Sequence, residues 1–505
     1  MKNLYKILPI AIVLILFGVL LYIFKLPPFT QMEPTPPQIE LTQKKLETPQ
    51  SPKAQLSEIP TKSSQEIYTE SMKQGAALTI KGYYSLAINE YRKASSAMPG
   101  SIEPLNEIGK IYLNQRNSEK AIKVFEEIVS MGSRDDATQI NLARAYLQSG
   151  DIQKAKEIFG GLSQQNPISS YYRAIIAASE GNYEESKKLF SETLGDTNEW
   201  IKARSQMFLA AYLEFSKFEG GQPTHIKTLI GKALNQTGEY SLAIPLLTEV
   251  IKEKSNYRDA WALLGYAYLN NSKPAEAVEA LEQARKLDPS KSETLFFLGL
   301  AYFAENKIDN AINYIESSLQ KGFEPRVQAY QKLAELYFAK QDYAKSAKAY
   351  ETVLGINSTN VDYFIRPIWI YIEKLHNPSA ALDLAQTSLV NHPGSAMAYN
   401  LVGWAYAAAG NYDLGKKNLE TAIKIDPNLA AAHLNLGQMY EKMNYAKTAK
   451  EYYKKAFELD KNTSSIGALA AERYNKISQV EMQEAQKKTQ KIPAGKVYQV
   501  NTFAQ

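Results

Sequence analysis

A small residue followed three positions later by a ring returns along this chain at spacings of 34 or 35 residues, and this recurrence constrains the fold more than any other feature. Gly75, Gly109 and Ala143 form one run; Gly231, Gly265, Gly299, Ala334, Trp369, Gly403 and Gly437 form a second. The rings are Tyr112, Tyr146, Tyr268, Tyr302, Tyr337, Tyr406 and Tyr440. A second small slot keeps step, at Ala87, Ala121, Ala155, Ser186, Ala243, Ala277, Ala311, Ser346, Ala381, Gly415 and Ala449. Four residues beyond it stands a large apolar group such as Tyr91, Phe125, Phe159, Phe190, Leu281, Tyr350 or Tyr453. Pro99, Pro167, Pro289, Pro393 and Pro427 close several units as helix stops. Each unit reads as two antiparallel helices, because Gly or Ala lets the backbones approach where they cross and the ring fills the space alongside. One hairpin leaves apolar outer faces in water. Stacking hairpins buries them, so the pattern demands a solenoid.

The stretch WALLGYAYLNNSKPAEAVEALEQARKLDP, residues 261 to 289, shows the unit most completely: Trp261, Leu264 and Gly265, Tyr268, Ala277, Leu281 and Pro289. It resembles a tetratricopeptide repeat nearly slot for slot. The resemblance covers residues 68 to 463 in about eleven copies and implies an all-α, right-handed superhelical solenoid. Two places depart from the pattern. Between Ser186 and Ala243 lie 57 residues, one repeat and a surplus containing EWIKARSQMFLAAYLEFSKF and then EGGQP. That surplus predicts one extra helix, with a seam over 195–223 between an array of four repeats (67–194) and an array of seven (224–463). In the ninth copy Trp369 fills the small slot and Pro367 sits early in the helix, which puts normal hairpin packing in doubt and suggests a bend. After the last copy, residues 464–490 place Ile466, Leu469, Ile477 and Val480 near one face, as a capping helix should, and 491–505 read as a flexible tail.

At the other end, the uncharged run from Ile7 to Phe24 has the length that spans a bilayer. Lys2 and Lys6 precede it and acids dominate after Lys25, so residues 1–25 read as a single-pass anchor of the inner (plasma) membrane with a cytoplasmic N-terminus. The exit LYIFKLPPF lacks the small residues of a cleavage site, which points to an uncleaved anchor. Prolines 27, 28, 34, 36, 37, 49, 52 and 60 make 26–66 a stiff spacer. The repeats are then expected outside the cytoplasm.

The composition narrows the chemistry. With no cysteine, thiolate catalysis and thiolate metal sites are excluded. The four histidines, His225, His376, His392 and His433, lie in different repeats without ligand-like spacing, so no metal is expected. A net charge of +5 from 58 basic and 53 acidic residues, largely interspersed, gives no nucleic-acid surface. No phosphate loop, nucleophile elbow or dinucleotide fingerprint occurs, and no segment is left over for a catalytic domain, so neither enzyme activity nor a cofactor is expected.

What remains is surface on the first helix of each hairpin, which in such repeats lines a concave wall. In the first array the wall carries Asn106, Lys110, Asn114, Asn141, Arg144 and Gln148; Lys110, Asn141 and Arg144 are similar in kind to residues with which peptide-binding repeat proteins hold a terminal carboxylate. A solvated face is the plainer reading. In the second array the wall carries Tyr266, Leu269, Phe296, Leu300, Phe303, Phe338 and Trp404. This row is tight packing between repeats, a wall covered by the chain's own tail, or a floor for a bound protein or peptide chain. The function expected is a membrane-anchored scaffold binding proteins or peptides in prokaryotic envelope, secretion or pilus assembly. Two alternatives stand beside it: a cytoplasm-facing regulatory adaptor, and an accessory subunit of an envelope polysaccharide or peptidoglycan enzyme complex.

Overall fold

The computed structural model describes residues 62–163, 166–218, 220–460 and 465–490. The expected anchor, nearly all of the spacer, and the tail after residue 490 lie outside them. All regular structure among the described residues is helical, and no helix there is long and apolar enough to cross a membrane. The chain divides into two compact units, one ending at Ser101 and the other beginning at Ile102.

The first unit holds one hairpin, α1 (Ser64–Ile80) and α2 (Tyr84–Ala97). A capping box starts it: the Ser63 hydroxyl accepts from the Glu66 amide at 3.2 Å, and the Glu66 carboxylate accepts from the Ser63 amide at 2.8 Å. Tyr91 lies on Gly75, where an added Cβ would stand 2.7 Å from the ring.

The second unit opens with three hairpins: α3 (Glu103–Asn114) with α4 (Ser118–Ser130), α5 (Asp136–Ser149) with α6 (Ile152–Gly161), and α7 (Pro167–Ser179) with α8 (Tyr183–Thr193). The surplus segment supplies α9 (Glu199–Ser216). Hairpins resume with α10 (Pro223–Thr237) and α11 (Tyr240–Glu253), α12 (Arg258–Asn270) and α13 (Pro274–Leu287), α14 (Ser292–Ala304) and α15 (Ile308–Gln320), and α16 (Arg326–Ala339) and α17 (Tyr343–Ile356). Next come α18 (Ile365–Trp369) with α19 (Pro378–Asn391), α20 (Ala396–Ala408) with α21 (Tyr412–Ile425), and α22 (Ala430–Lys442) with α23 (Ala446–Asp460). The closing helix is α24 (Ser465–Gln490).

The two slots do what their spacing predicts. A Cβ on Gly265 would fall 2.5 Å from Leu281 Cγ and 3.2 Å from the Ala277 carbonyl; one on Gly299 would fall 2.5 Å from Ile315 Cγ1 and 3.1 Å from the Ala311 carbonyl. Where the second slot is serine, its hydroxyl donates across the crossing, Ser346 to the Ala334 carbonyl at 2.7 Å and Ser186 to Ala174 at 2.9 Å. The ring slot favours tyrosine for a reason beyond bulk. Its hydroxyl reaches a carboxylate on the preceding hairpin: Tyr146 donates to Glu126 at 2.5 Å, Tyr302 to Glu282 at 3.2 Å, and Tyr337 to Glu316; in the ninth copy Tyr371, one position before the slot, donates to Glu351 at 2.5 Å. Each of those glutamates follows the large residue seated on the small slot, so one motif both packs a hairpin and ties it to the next.

The ninth copy keeps its hairpin by distorting its helix. A 3₁₀ turn, Val361–Phe364, leads into α18, and a π turn, Ile370–Lys374, follows it. Phe364, Ile368 and Ile372 then face Ala381 and Ala385 of α19, while Trp369 leaves the small slot and lies half-buried against Phe338, ring centroids 5.7 Å apart. The terminal helix buries Ala470 and Ile477, with Ile466 and Leu469 packed beside them. Val480 does not join them: it is 49% exposed, although the next residue, Glu481, pairs with Lys450 of α23 at 2.5 Å.

The extra helix is packed into the second unit. Residues 195–223 lie inside the second unit, and α9 packs as a first helix on the preceding hairpin: Phe208 stacks on Phe190 at 4.5 Å, and the Tyr212 hydroxyl donates to Ser186 at 2.8 Å. With no second helix to complete a hairpin, the chain turns back. Helix α10 packs on α9 and α7, and α11 reaches across to α5 and α7.

Candidate functional site

Two walls of first helices are the candidates, and the structure treats them differently. On the first wall, α3, α5 and α7 are met by the turn between α10 and α11. Gly238 supplies the left-handed residue, φ +79°, that ends α10, and a Cβ there would lie 3.1 Å from the Arg116 guanidinium. Arg116 donates to the Gly238 carbonyl at 2.5 Å and Arg204 to the Thr237 carbonyl at 2.5 Å. Both carbonyls belong to the C-terminal end of a helix, where partial negative charge gathers and cations are favoured. The Ser241 hydroxyl donates to the Gln148 carbonyl at 2.8 Å, and Arg116 lies over the Tyr240 ring at 4.3 Å.

Several of the predicted polar residues of this wall are already paired within it. Asn106 accepts from the Thr138 hydroxyl at 3.2 Å. Asn141 is buried and accepts from Arg144 at 3.0 Å, and Arg144 stands 6.0 Å from the Tyr172 ring. Lys110 is exposed and paired with Glu107 at 2.7 Å. Burial holds the Tyr171 and Tyr172 hydroxyls above their ordinary ionisation range, against the pull of Arg204 and Arg144. Arg116 and Arg204 escaped the sequence reading. The only local trace of the first is its place in a helix-to-helix turn at φ +56°, and of the second its place on the surplus helix.

The second wall is a row of rings packed repeat against repeat. Tyr266 meets Tyr240 at 6.1 Å and Phe297 at 5.0 Å, both edge to face; burial raises its hydroxyl's ionisation range. Phe296 departs from the candidate floor: it is 1% exposed and stacks on Phe323 at 4.1 Å, so it belongs to the core. Leu300 and Phe303 are half-buried beside that core, with the Lys332 ammonium 5.6 Å from the Phe303 ring. Phe338 packs on Trp369 and Tyr343 with Arg366 at 5.5 Å, and Trp404 is half-buried beside Leu401 and Val402. At its far end Asn435 donates to Asn400 at 2.9 Å, and burial pushes the neighbouring His433 below the usual histidine range. Among the described residues no helix crosses this wall as α11 crosses the first. No group of three His, Asp or Glu side chains among them could hold a metal ion.

The comparisons with known proteins fit these hairpins. Among curated proteins, the chain is 22% identical over 293 residues to BBSome complex member BBS4 of Bos taurus, covering 58% of this chain and 52% of that protein. It is 21% identical over 382 residues to cellulose synthase operon protein C of Pseudomonas fluorescens, covering 73% of this chain and 26% of that one. The chain thus spans about half the length of the first relative and about a quarter of the second. Among solved structures, the crystal structure of the APC/C hetero-tetramer Cut9-Hcn1 aligns at 13% identity with a TM-score of 0.30, over 81% of this chain and 96% of that one. Models described as tetratricopeptide repeat or TPR repeat match residues 102–131, 119–179, 228–292, 263–322, 296–361, 373–415, 403–444 and 430–463. These matches cover more than half of the chain, and with the crossings at Gly109, Gly265 and Gly437 they make it a member of the tetratricopeptide-repeat family.

Proposed function

We propose that this chain is a membrane-anchored scaffold that holds a protein or peptide segment on the first-helix wall of its second array. The observation that carries the reading is the difference in occupancy: the first wall is filled by the chain's own α10–α11 turn, whereas no described helix crosses the half-buried row of Tyr266, Leu300, Phe303, Phe338 and Trp404. A row of rings offers apolar contact at low entropic cost, and the exposed Arg366 beside it supplies polar orientation. The apolar run 7–24 with its flanking lysines supports an anchor in the inner (plasma) membrane and repeats outside the cytoplasm, which suits envelope, secretion or pilus assembly. The likeness to cellulose synthase operon protein C favours a second reading, an accessory subunit of an envelope polysaccharide complex. Either role is non-enzymatic.

The test has two parts. Protease added to spheroplasts should digest the repeats without lysis; protection until lysis reverses the topology. Partners identified by co-purification from solubilised membranes should then bind Phe338→Ala and Trp404→Ala chains more weakly by about 2 kcal/mol each, with helicity and melting temperature preserved. Equal affinity in stable variants removes the second wall from consideration.

A further inference from the structure

Where the α10–α11 turn meets the first wall, a cavity of about 160 Å³ remains, lined among others by Arg116, Arg144, Gln148, Trp200, Arg204 and Glu239. Its charge is unbalanced. Three guanidinium groups line it against one carboxylate, and Glu239 lies 3.7 Å from Arg204. Guanidinium groups stay charged in proteins, so the excess cannot be relieved by losing protons. Holding like charges together in a half-buried cavity is unfavourable unless an anion joins them.

The three groups are also held in place. Arg116 lies over Tyr240 and Arg204 over Trp200, each at 4.3 Å, and Arg144 is fixed by its bond to Asn141. The carbonyls of Gly238 and Thr237 each accept from one guanidinium nitrogen, while every guanidinium carries five N–H donors in a planar fork suited to oxyanions. The side-chain oxygen of Gln148 is buried without a hydrogen-bond partner, so turning that amide to present its NH2 breaks no bond at the oxygen. The lining comes from α3, α5, α7, α9 and the α10–α11 turn, so a ligand here touches both sides of the closed contact.

We propose that this cavity binds a small tetrahedral oxyanion of phosphate or sulfate size, and that the anion staples the α10–α11 turn to the first wall. A ligand that binds only the docked arrangement stabilises it by mass action. The cavity reaches the apolar row of the second array through Tyr240, over which Arg116 lies and which meets Tyr266, but its test does not depend on any partner of that row.

The experiment titrates the full-length chain, in a non-ionic detergent, with inorganic phosphate at ionic strength held constant by chloride, read by calorimetry and thermal unfolding. The expected result is saturable one-to-one binding and a melting temperature that rises with phosphate but not with chloride. Arg144→Gln, which leaves both carbonyl contacts of the turn intact, should weaken binding by about tenfold or more, and Lys110→Gln, outside the cavity, should leave it unchanged. If Arg144→Gln loses helicity, Arg144→Lys replaces it: it keeps the charge, loses the fork, and should bind more weakly than the native chain. Absence of saturable binding in the native chain overturns the proposal. So does native affinity in folded Arg144 variants.

Discussion

The first and second arrays are built from one repeat, yet their walls have opposite fates. In the first, Arg116 and Arg144, joined by Arg204 of the extra helix, line the contact with a helix end donated by the chain itself, and the wall becomes an internal interface. In the second, the corresponding face carries Tyr266, Phe303, Phe338 and Trp404, rings that lean on their neighbours without any described helix laid across them. Wall composition follows the occupant: helix carbonyls call for cations, while an apolar row suits an apolar chain. Composition alone therefore misleads when it is read without asking what the chain folds back onto.

The largest expected effect tests whether the arrays share their crossings and differ in what lies behind them. Gly265→Leu and Gly109→Leu each push a side chain into an atom 2.5 Å from the new Cβ, Leu281 Cγ in one case and Phe125 Cζ in the other. Each should cost about 3 kcal/mol by overpacking, seen as a lowered denaturation midpoint. In the first array the damage should also reach the docked turn, speeding amide exchange over 237–241; in the second it should stay within adjoining hairpins. Equal spread from both sites would mean that the docking contact does not distinguish the arrays.

A smaller effect addresses the docking contact directly. Arg116→Ala and Arg204→Ala each remove a charge-assisted bond to a carbonyl at the end of α10, with an expected loss of about 1.5 to 3 kcal/mol apiece. Because both act on one turn, the double variant should fall short of the sum. Amide exchange should rise around Gly238 to Ser241 while α20 to α24 keep native protection. Unchanged exchange at the turn would show that α9 and α10 packing alone holds the arrays together.

Legibility in the sequence followed the range of the interaction. The crossings could be read because Gly265 meets Leu281 and Gly437 meets Tyr453 at a fixed offset within every unit. The extra helix could be read as surplus length. The first wall's occupant could not: Arg116 and Gly238 are 122 residues apart, and a contact made once has no period to betray it. Phe296 failed for a local reason. Adjacent residues on a helix differ by about 100° in direction, and Phe296 turns toward Phe323, a loop residue outside the repeat's slots, while its neighbour Phe297 turns toward Tyr266. The tyrosine-to-glutamate tie was legible in principle, since Glu126 and Tyr146, like Glu282 and Tyr302, stand 20 residues apart.

That tie yields the smallest effect, and it sharpens the comparison because it occurs in both arrays. Burial, then the hydrogen bond to Glu126 and its charge, push the Tyr146 hydroxyl up from an ordinary 10.0 to about 12. The same causes, led again by burial, raise Tyr302 through Glu282 in the second array. A raised value in the fold means that the folded chain keeps a proton the unfolded chain has begun to lose. The contribution is complete below pH 10 and is lost as pH climbs through about 12. Tyr146→Phe should therefore cost about 1 kcal/mol near neutrality, and its difference from the native chain should shrink as pH rises across that window. Tyr302→Phe should show the same sign, measured by denaturant unfolding over the same alkaline range. If the cost of Tyr146→Phe holds constant with pH, the hydroxyl contributes through packing and the tie to Glu126 carries no free energy. If only Tyr302→Phe shows the trend, the docked turn has taken over the work of the tie in the first array.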